Sequence, residues 1–303
     1  MRGHGREGFI LVAVLGVLVV LAGLVGAASY LVRTAATGAA GLRDDLVLDA
    51  LTQAGLELAG YQLFMLNRPT ADINAQQIRL NDGVVTLFVT SEAGKIDLNG
   101  APPELLAGVW RASGGASMTP ETFAARVADY RDADSEKTPK GGAEAADYAA
   151  AGPAARPADA PFAQVDELQH VLGVTPQEVR AIEPLLTVHN PDGKLSALDA
   201  SPQALRALPE LAAAAVDRIV SLRRRGGQEL ERQLKTALGD QEEFVSFEPG
   251  AAFSVRVEVR RGDRVRSVRA VLTRSRAAEA LYFITDWDPR LPAETVRSRR
   301  SAG

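Results

Sequence analysis

The chain has 303 residues, of which 46% are hydrophobic and 24% charged, and its 34 basic and 38 acidic residues leave a formal net charge of −4. Without a basic surplus it is a poor general binder of nucleic acid, because phosphate contacts dominate that affinity. The absence of cysteine excludes disulfides, thiolate zinc sites and cysteine nucleophiles, and His4, His170 and His189 are too scattered for a histidine metal cluster.

Residues 1–8 read MRGHGREG, and the run from Phe9 to Val32 carries no charge. About 20 apolar residues cross the ~30 Å hydrocarbon core of a bilayer, so 9–32 is expected to be a single transmembrane helix behind a short basic leader. Arg2 and Arg6 precede it, which by the positive-inside rule puts the N-terminus in the cytoplasm and everything after Arg33 outside. Three uses of such a segment are open. A secretory signal could be cut near Gly26-Ala27-Ala28-Ser29; a plain signal anchor would stay; or the helix could be retained after loss of the leader. The Gly8–Phe9 junction, a glycine meeting the aromatic that opens the apolar run, resembles the type III signal of type IV pilins and type II secretion pseudopilins. That resemblance implies cleavage after Gly8 by a prepilin peptidase and methylation of the new N-terminus at Phe9. Those families usually carry a glutamate at the fifth mature position; here it is Ala13.

Beyond Arg33 the pattern stays helical. Leu42, Leu46, Leu51, Ala54, Leu58, Tyr61 and Met65 recur at spacings of three to five and are expected to form one apolar stripe. Arg43, Asp44, Asp45 and Asp49 make the other side wettable, and Asn67-Arg68-Pro69 stops the helix. Asn81-Asp82-Gly83 is a turn signal, and Val84 to Thr90 reads as a strand. Near the C-terminus, Phe253 to Arg260 alternates strictly, Arg261-Gly262-Asp263-Arg264 turns it back, and Arg266 to Arg274 and Leu281 to Trp287 supply two more strands. Residues 296–303 read as a polar tail.

The region from 91 to 243 reads as helical with no convincing strand, and is too long for a loop. It contains a degenerate repeat: GKIDLNGAPPELL (Gly94 to Leu106) aligns without gaps to GKLSALDASPQAL (Gly193 to Leu205). Pro103 and Pro202 stand where a first-turn proline is tolerated, with Asn99 and Asp199 as expected caps. Between the copies runs DYRDADSEKTPKGGAEAADY, Asp129 to Tyr148. Asp132 and Asp134 are two apart, and Glu144 and Asp147 three apart. Carboxylates without histidine or cysteine favour calcium over zinc, while a solvated acidic loop with Arg131, Lys137 and Lys140 as neighbours is the plain alternative.

Taken together, the Gly8–Phe9 junction, GKIDLNGAPPELL, DYRDAD followed by GAEAADY, PFAQVDELQHVLGVTPQEV (Pro161 to Val179) and LLTVHNPDGKLSALDASPQAL (from Leu185) resemble the K-class minor pseudopilins of type II secretion systems, the general secretion pathway protein K family. The resemblance implies an α+β fold: a pilin-like long N-terminal helix packed on a small antiparallel sheet (33–90 and 244–295), with a large helical domain (91–243) inserted into it. It implies a subunit of the bacterial inner membrane with a periplasmic body, capping the pseudopilus tip with I-class and J-class minor pseudopilins in protein export. It also implies calcium in the insertion, with Asp132, Asp134, Glu144 and Asp147 as ligands and Asp129 as a further candidate. Ser196-Ala197-Leu198-Asp199 departs from the asparagine-rich run usual there. The rival is a membrane-anchored DNA receptor, because LPELAAAAVDRIVSLRRRGG (Leu208 to Gly227) resembles helix-hairpin-helix repeats. Against it, Glu210-Leu211 replaces the turn glycine, and Arg223, Arg224 and Arg225 read as a solvated helix end. No phosphate loop, G-x-S-x-G elbow or H-E-x-x-H helix points to an enzyme.

Overall fold

The computed structural model describes residues 6–152, 155–275, 277 and 280–289; the first five leader residues and the tail 296–303 lie outside them. The uncharged run is part of one helix, α1 (Arg6–Gly60), about 80 Å long at 1.5 Å per residue. A π-helical turn (Tyr61–Met65) continues it, and the chain leaves the helix at Asn67, whose φ is +48°, just ahead of Pro69. Within α1, Val14–Leu31 is long and apolar enough to cross a membrane, and none of that window is buried.

In chain order there follow α2 (Thr70–Ile73), β1 (Gln76–Leu80) and β2 (Gly83–Ser91). Next come β3 (Ile96–Asp97), α3 (Pro103–Ser113), α4 (Pro120–Arg131), α5 (Ala145–Ala151), α6 (Pro176–Ile182) and β4 (Leu186–Thr187). Then come β5 (Leu195–Ser196), α7 (Pro202–Leu205), α8 (Ala213–Arg225), α9 (Leu230–Leu238) and β6 (Val245–Ser246). The chain closes with β7 (Ala252–Arg261), β8 (Arg264–Arg274) and β9 (Tyr282–Asp288). Five strands form one antiparallel sheet in the order β1-β2-β7-β8-β9. β2 and β7 are direct neighbours, with Val84 opposite Arg260 and Ser91 opposite Phe253. Everything from 92 to 251 is therefore one excursion between two paired strands, and the α+β architecture expected from sequence is the one observed.

The excursion springs from a definite end of the sheet. At one end the β1–β2 and β7–β8 turns meet the stretch of α1 that follows the apolar span: Arg261 bridges Asp44 (2.6 Å) and Asp82 (2.7 Å), Arg264 reaches Asp45 (3.0 Å), and Arg266 pairs with Asp49. At the other end Phe253 packs edge-on against Phe64. The insertion thus stands at the end remote from the apolar span, and the acidic residues read as merely wettable clasp the helix to the sheet.

The face of α1 that packs on the sheet differs from the expected stripe. Leu48, Leu51, Thr52, Leu56, Ala59, Gln62 and Leu63 are buried, whereas Leu42, Leu46, Tyr61 and Met65 are exposed. Spacings of four accumulate about 40° per step around a helix, so the sequence pattern joined residues from two different faces. The sheet also has a strand that sequence missed, β1, whose QQIRL carries too few apolar residues to alternate.

The insertion has its own core, from Ile96 to Val245, with Phe244 and Phe247 packed on it, separate from the α1–sheet core. Trp110 of α3 stacks on Phe123 of α4 at 4.3 Å. It is not purely helical: β3 pairs in parallel with β4, and β5 with β6. Two-residue ladders are too short to leave a periodicity in sequence. The two repeat copies, offset by 99 (193 − 94), face each other across a pseudo-twofold axis. A Cβ on Gly94 would lie 2.7 Å from the Asp199 carbonyl oxygen, and one on Gly193 would clash with that of Gly100. Exchanging the copies turns the first contact into the second. Gly108 meets the carbonyl of Ala207, its own counterpart, and so sits on the axis.

The expected caps are replaced by other residues. Asn99 donates to and accepts from the backbone of Phe162 (2.9 and 2.8 Å), and Asp199 accepts from the Ser196 hydroxyl. The turns are held instead by Asp97, which accepts from the amides of Asn99, Gly100 and Asn190 (2.8 Å each), and by its counterpart Ser196, which accepts from Leu198 and Asp199 (3.2 Å each). Apart from the distant Asn190 amide, these acceptors sit two to three residues before the amides they serve, the usual reach of Asp and Ser side chains in turns, whereas Asn99 and Asp199 lie too far from either helix start.

Candidate functional site

The acidic segment begins where α4 ends. Thr119 caps α4 by accepting from Thr122 N, and Asp132 ends it with extended backbone. The loop returns at Glu144, the cap of α5, where Glu144 and Asp147 form a capping box. Folding thereby gathers one oxygen each from Asp132, Asp134 and Glu144 within 4.8 Å of one another. Ligands about 2.4 Å from one calcium ion lie no more than about 4.8 Å apart, so the trio has the spacing such an ion needs.

The electrostatics point the same way. Asp132 Oδ1 and Glu144 Oε1 are buried without a hydrogen-bond partner, a costly state for carboxylates. Burial, then the charges of Asp134 and Asp129, raise the Asp132 pKa above the ordinary carboxylate range. Burial, followed by Asp129, Asp132, Asp134 and Asp159, raises that of Glu144. Orphaned hard oxygens that repel one another fit a divalent cation.

The other two candidates stand beside the trio. Asp129, fully buried, accepts from Thr138 N with both oxygens (3.0 and 3.2 Å) and folds the loop back over α4. Asp147 accepts from Lys137 Nζ (2.7 Å) and Glu144 N (2.9 Å); the Lys137 bond first, then the backbone bond, hold its pKa down. Asp159 escaped the sequence reading because a proline- and alanine-rich stretch separates it from the cluster. The amides of Ala158 and Asp159 both donate to Tyr130 O (3.1 Å), which ties that stretch to the end of α4. Arg131, its pKa lowered by burial, donates to the Leu98 carbonyl and ties the same helix end to the first repeat turn.

The nucleic-acid reading meets two obstacles. The α3–α4 hairpin does present backbone amides, but those of Ala116 and Ser117 donate to Glu178 Oε1 (3.0 and 2.8 Å). The chain's own carboxylate holds the place an anion would take. Burial opposes its charge, but these bonds and those from Thr175 bring its pKa down to about 2. In the second hairpin, Glu210 occupies a left-handed position with φ of +55°. Arg223 is also not a solvated helix end. It donates to Ala197 O (2.7 Å) and Ala200 O, and burial lowers its pKa to about 10. Ala197 is the counterpart of Leu98, so Arg131 and Arg223 pin equivalent turns.

Comparison with known proteins follows this division of the chain. Residues 98–191, which hold the first repeat helices and the acidic loop, match the family model "Type II secretion system (T2SS), protein K". A chain from the crystal structure of the GspK-GspI-GspJ complex of the enterotoxigenic Escherichia coli type 2 secretion system superposes with a TM-score of 0.60 at 15% identity, covering 83% of this chain and 99% of that one. No curated protein matches in sequence. The family model falls on the half of the insertion that carries the acidic trio, and the similarity of fold to the solved structure covers most of the chain around it: the chain holds a region similar to protein K of type II secretion systems within a fold similar to that of the solved complex's chain.

Proposed function

We propose that this chain is a minor pseudopilin that caps the tip of the type II secretion pseudopilus, as an assembly subunit and not an enzyme. The observation that carries the reading is the seat of the insertion. It emerges at Ser91 and Phe253, at the end of the sheet beside Phe64 and remote from the apolar span. A subunit stacking above would meet the insertion, while neighbours below meet only helix and sheet. The partners are I-class and J-class minor pseudopilins, as the solved complex of GspK with GspI and GspJ suggests. The outward residues of α1, Leu42, Leu46, Tyr61 and Met65, offer them an apolar seam. Copurification tests this: the full-length chain in detergent should bind both partners and not polymerise. Leu46→Asp and Met65→Asp should weaken capture at least tenfold without changing the melting temperature. A chain that ignores both partners would leave the tip reading without support.

In the same reading, α1 anchors the chain in the bacterial inner membrane with the N-terminus cytoplasmic and the body periplasmic. Prepilin peptidase cuts after Gly8, and protein sequencing should start at Phe9. Ala13 in place of the usual glutamate removes a group whose burial in lipid needs a partner, in keeping with a terminal subunit. Calcium binds Asp132, Asp134 and Glu144, with Asp129 and Asp147 shaping the loop. The two cores support a division into leader 1–8, span 9–32, pilin-like parts, insertion and tail. The second junction is drawn after Phe247 rather than at 244, because Val245 belongs to the insertion's core.

A further inference from the structure

Burial first, then the charges of Asp129, Asp132, Asp134 and Asp159, raise the Glu144 pKa. Three of these aspartates already have a place. Asp132 and Asp134 belong to the trio, and Asp129 holds Thr138 N with both oxygens. Asp159 is exposed, and its carboxylate engages no hydrogen-bond donor and no basic side chain among the described residues. Its backbone is nonetheless fixed beside the site. The amides of Ala158 and Asp159 donate to Tyr130 O at 3.1 Å each, two residues before Asp132. Three pieces of chain therefore converge: the end of α4, the start of α5, and this stretch, whose acidic residue is Asp159. The trio also leaves a shell to complete. Calcium takes about six to eight oxygens. Three carboxylates supply at most the lower figure, and Asp134 already gives Oδ1 to Glu136 N at 2.8 Å.

The same stretch runs on to the boundary between the insertion and the sheet. Phe162 stacks on Tyr130 at 4.8 Å and exchanges hydrogen bonds with Asn99 (2.9 and 2.8 Å). The next four residues, Ala163 to Asp166, line a cleft of about 720 Å³ whose sheet side includes Ser254 and Arg269. We propose that Asp159 closes on the cation as a fourth carboxylate ligand, so that the cation clasps segment 158–166 to the end of α4 and fixes the insertion's wall of this cleft. The clasp presupposes that the trio binds calcium. A bound cation offsets the repulsion between Asp159 and the trio. Without it, the repulsion drives the exposed Asp159 outward, and only Tyr130 and Asn99 hold the stretch. The wall that the insertion presents to the sheet then stiffens or loosens with calcium.

The experiment uses the full-length chain in detergent and two variants. Asp159→Gly suits the left-handed backbone there, whose φ is +51°, and removes the carboxylate; Asp159→Asn keeps one carbonyl oxygen. In calorimetric titration with calcium, Asp159→Gly should bind about tenfold more weakly or worse, with Asp159→Asn in between. Luminescence lifetimes of bound europium in light and heavy water count the waters on the metal. Asp159→Gly should add at least one, a change that a merely structural residue would not produce. In hydrogen exchange, saturating calcium should protect the amides of 158–168 in the parent chain but not in Asp159→Gly, while α5 is protected in both. Asp166→Asn, on the same stretch but in the cleft, should bind calcium like the parent. Equal affinity and equal metal hydration in Asp159→Gly overturn the clasp and leave the calcium reading of the trio standing, as does unchanged protection of 158–168. A parent chain that binds no calcium overturns both.

Discussion

The two halves of the insertion are built on one plan and differ in what fills it. In the first, a buried aspartate, Asp97, gathers three amides; in the second, Ser196 gathers two, more weakly. The first has a long α3 and follows α4 with the acidic loop. The second shortens α7 to four residues and follows α8 with Gly226-Gly227. The parts that both retain are those the axis requires: a glycine or small residue where the copies touch, a short parallel ladder, and a buried arginine holding the turn. Pairing the halves thus demands little sequence. The charged chemistry was free to accumulate on one side.

The strongest challenge to that symmetry is a side chain on the axis. Gly108→Leu would drive carbon into the backbone carbonyl of Ala207, which no rotamer change relieves. The cost should exceed the ~3 kcal/mol typical of overpacking and unfold the insertion alone. Hydrogen exchange should then show protection lost in α3, α4 and α8 but kept in β2, β7 and β8. Uniform loss across both cores would mean the sheet depends on the insertion.

The unequal turns give the next largest effect. Asp97→Ala strands three amides around a residue only 1% exposed, and should cost about 3 kcal/mol by denaturant unfolding. Ser196→Ala removes two long hydroxyl bonds and should cost about 1 kcal/mol. Equal losses would show that the second turn carries as much of the fold as the first.

This asymmetry also sets what could be read in the sequence. The span, the alternating strands and the gapless repeat were legible because burial in lipid, in a sheet face or at an axis each imposes a regular spacing. The acidic trio was legible as a cluster, but its membership was not. Glu144 and Asp147 look alike in sequence, yet the capping box of α5 turns one inward and ties the other to Lys137. Arg223 was misread because three consecutive arginines look solvated, while only the first lies next to the buried row Val216, Ile219 and Leu222. The stripe on α1 failed for the opposite reason: too many apolar residues, some for the sheet and some for neighbours.

Calcium should sharpen the difference between the halves. If it binds the folded state alone, 100 Kd of it adds about 2.7 kcal/mol, and exchange protection should rise around the acidic loop and α5 but not around α8 and α9. Glu144→Gln and Asp132→Asn should abolish that gain. Because both carboxyls have raised pKa values, neutralising either should also stabilise the cation-free chain. Asp147→Asn should leave the calcium gain in place. A calcium response that survives Glu144→Gln would place the ion elsewhere.

The smallest expected effect is the sharpest in sign. Glu178 belongs to the same half as Asp132 and Glu144, yet its pKa moves in the opposite direction from theirs, so acid should act on them oppositely. Glu178 is held near pKa 2 in the folded chain, below its ordinary value of 4.5. A depressed carboxyl contributes stability above its unfolded pKa and loses it as pH falls through the window from about 4.5 to about 2. Asp132 and Glu144 have raised values, so without a cation the repulsion in the cluster is relieved as pH falls through those raised pKa values, before Glu178 begins to protonate. The cation-free chain should therefore gain slightly in stability on mild acidification and then lose it below about pH 4.5. Glu178→Gln should cost about 1–2 kcal/mol at neutral pH, mostly in the α3–α4 hairpin, and flatten only the acid limb. Glu144→Gln should flatten only the mild-acid rise. Melting temperatures of the three proteins in chelator between pH 7 and pH 3 separate these limbs. A single monotonic fall shared by all three would mean that neither set of carboxylates governs the pH response of the insertion.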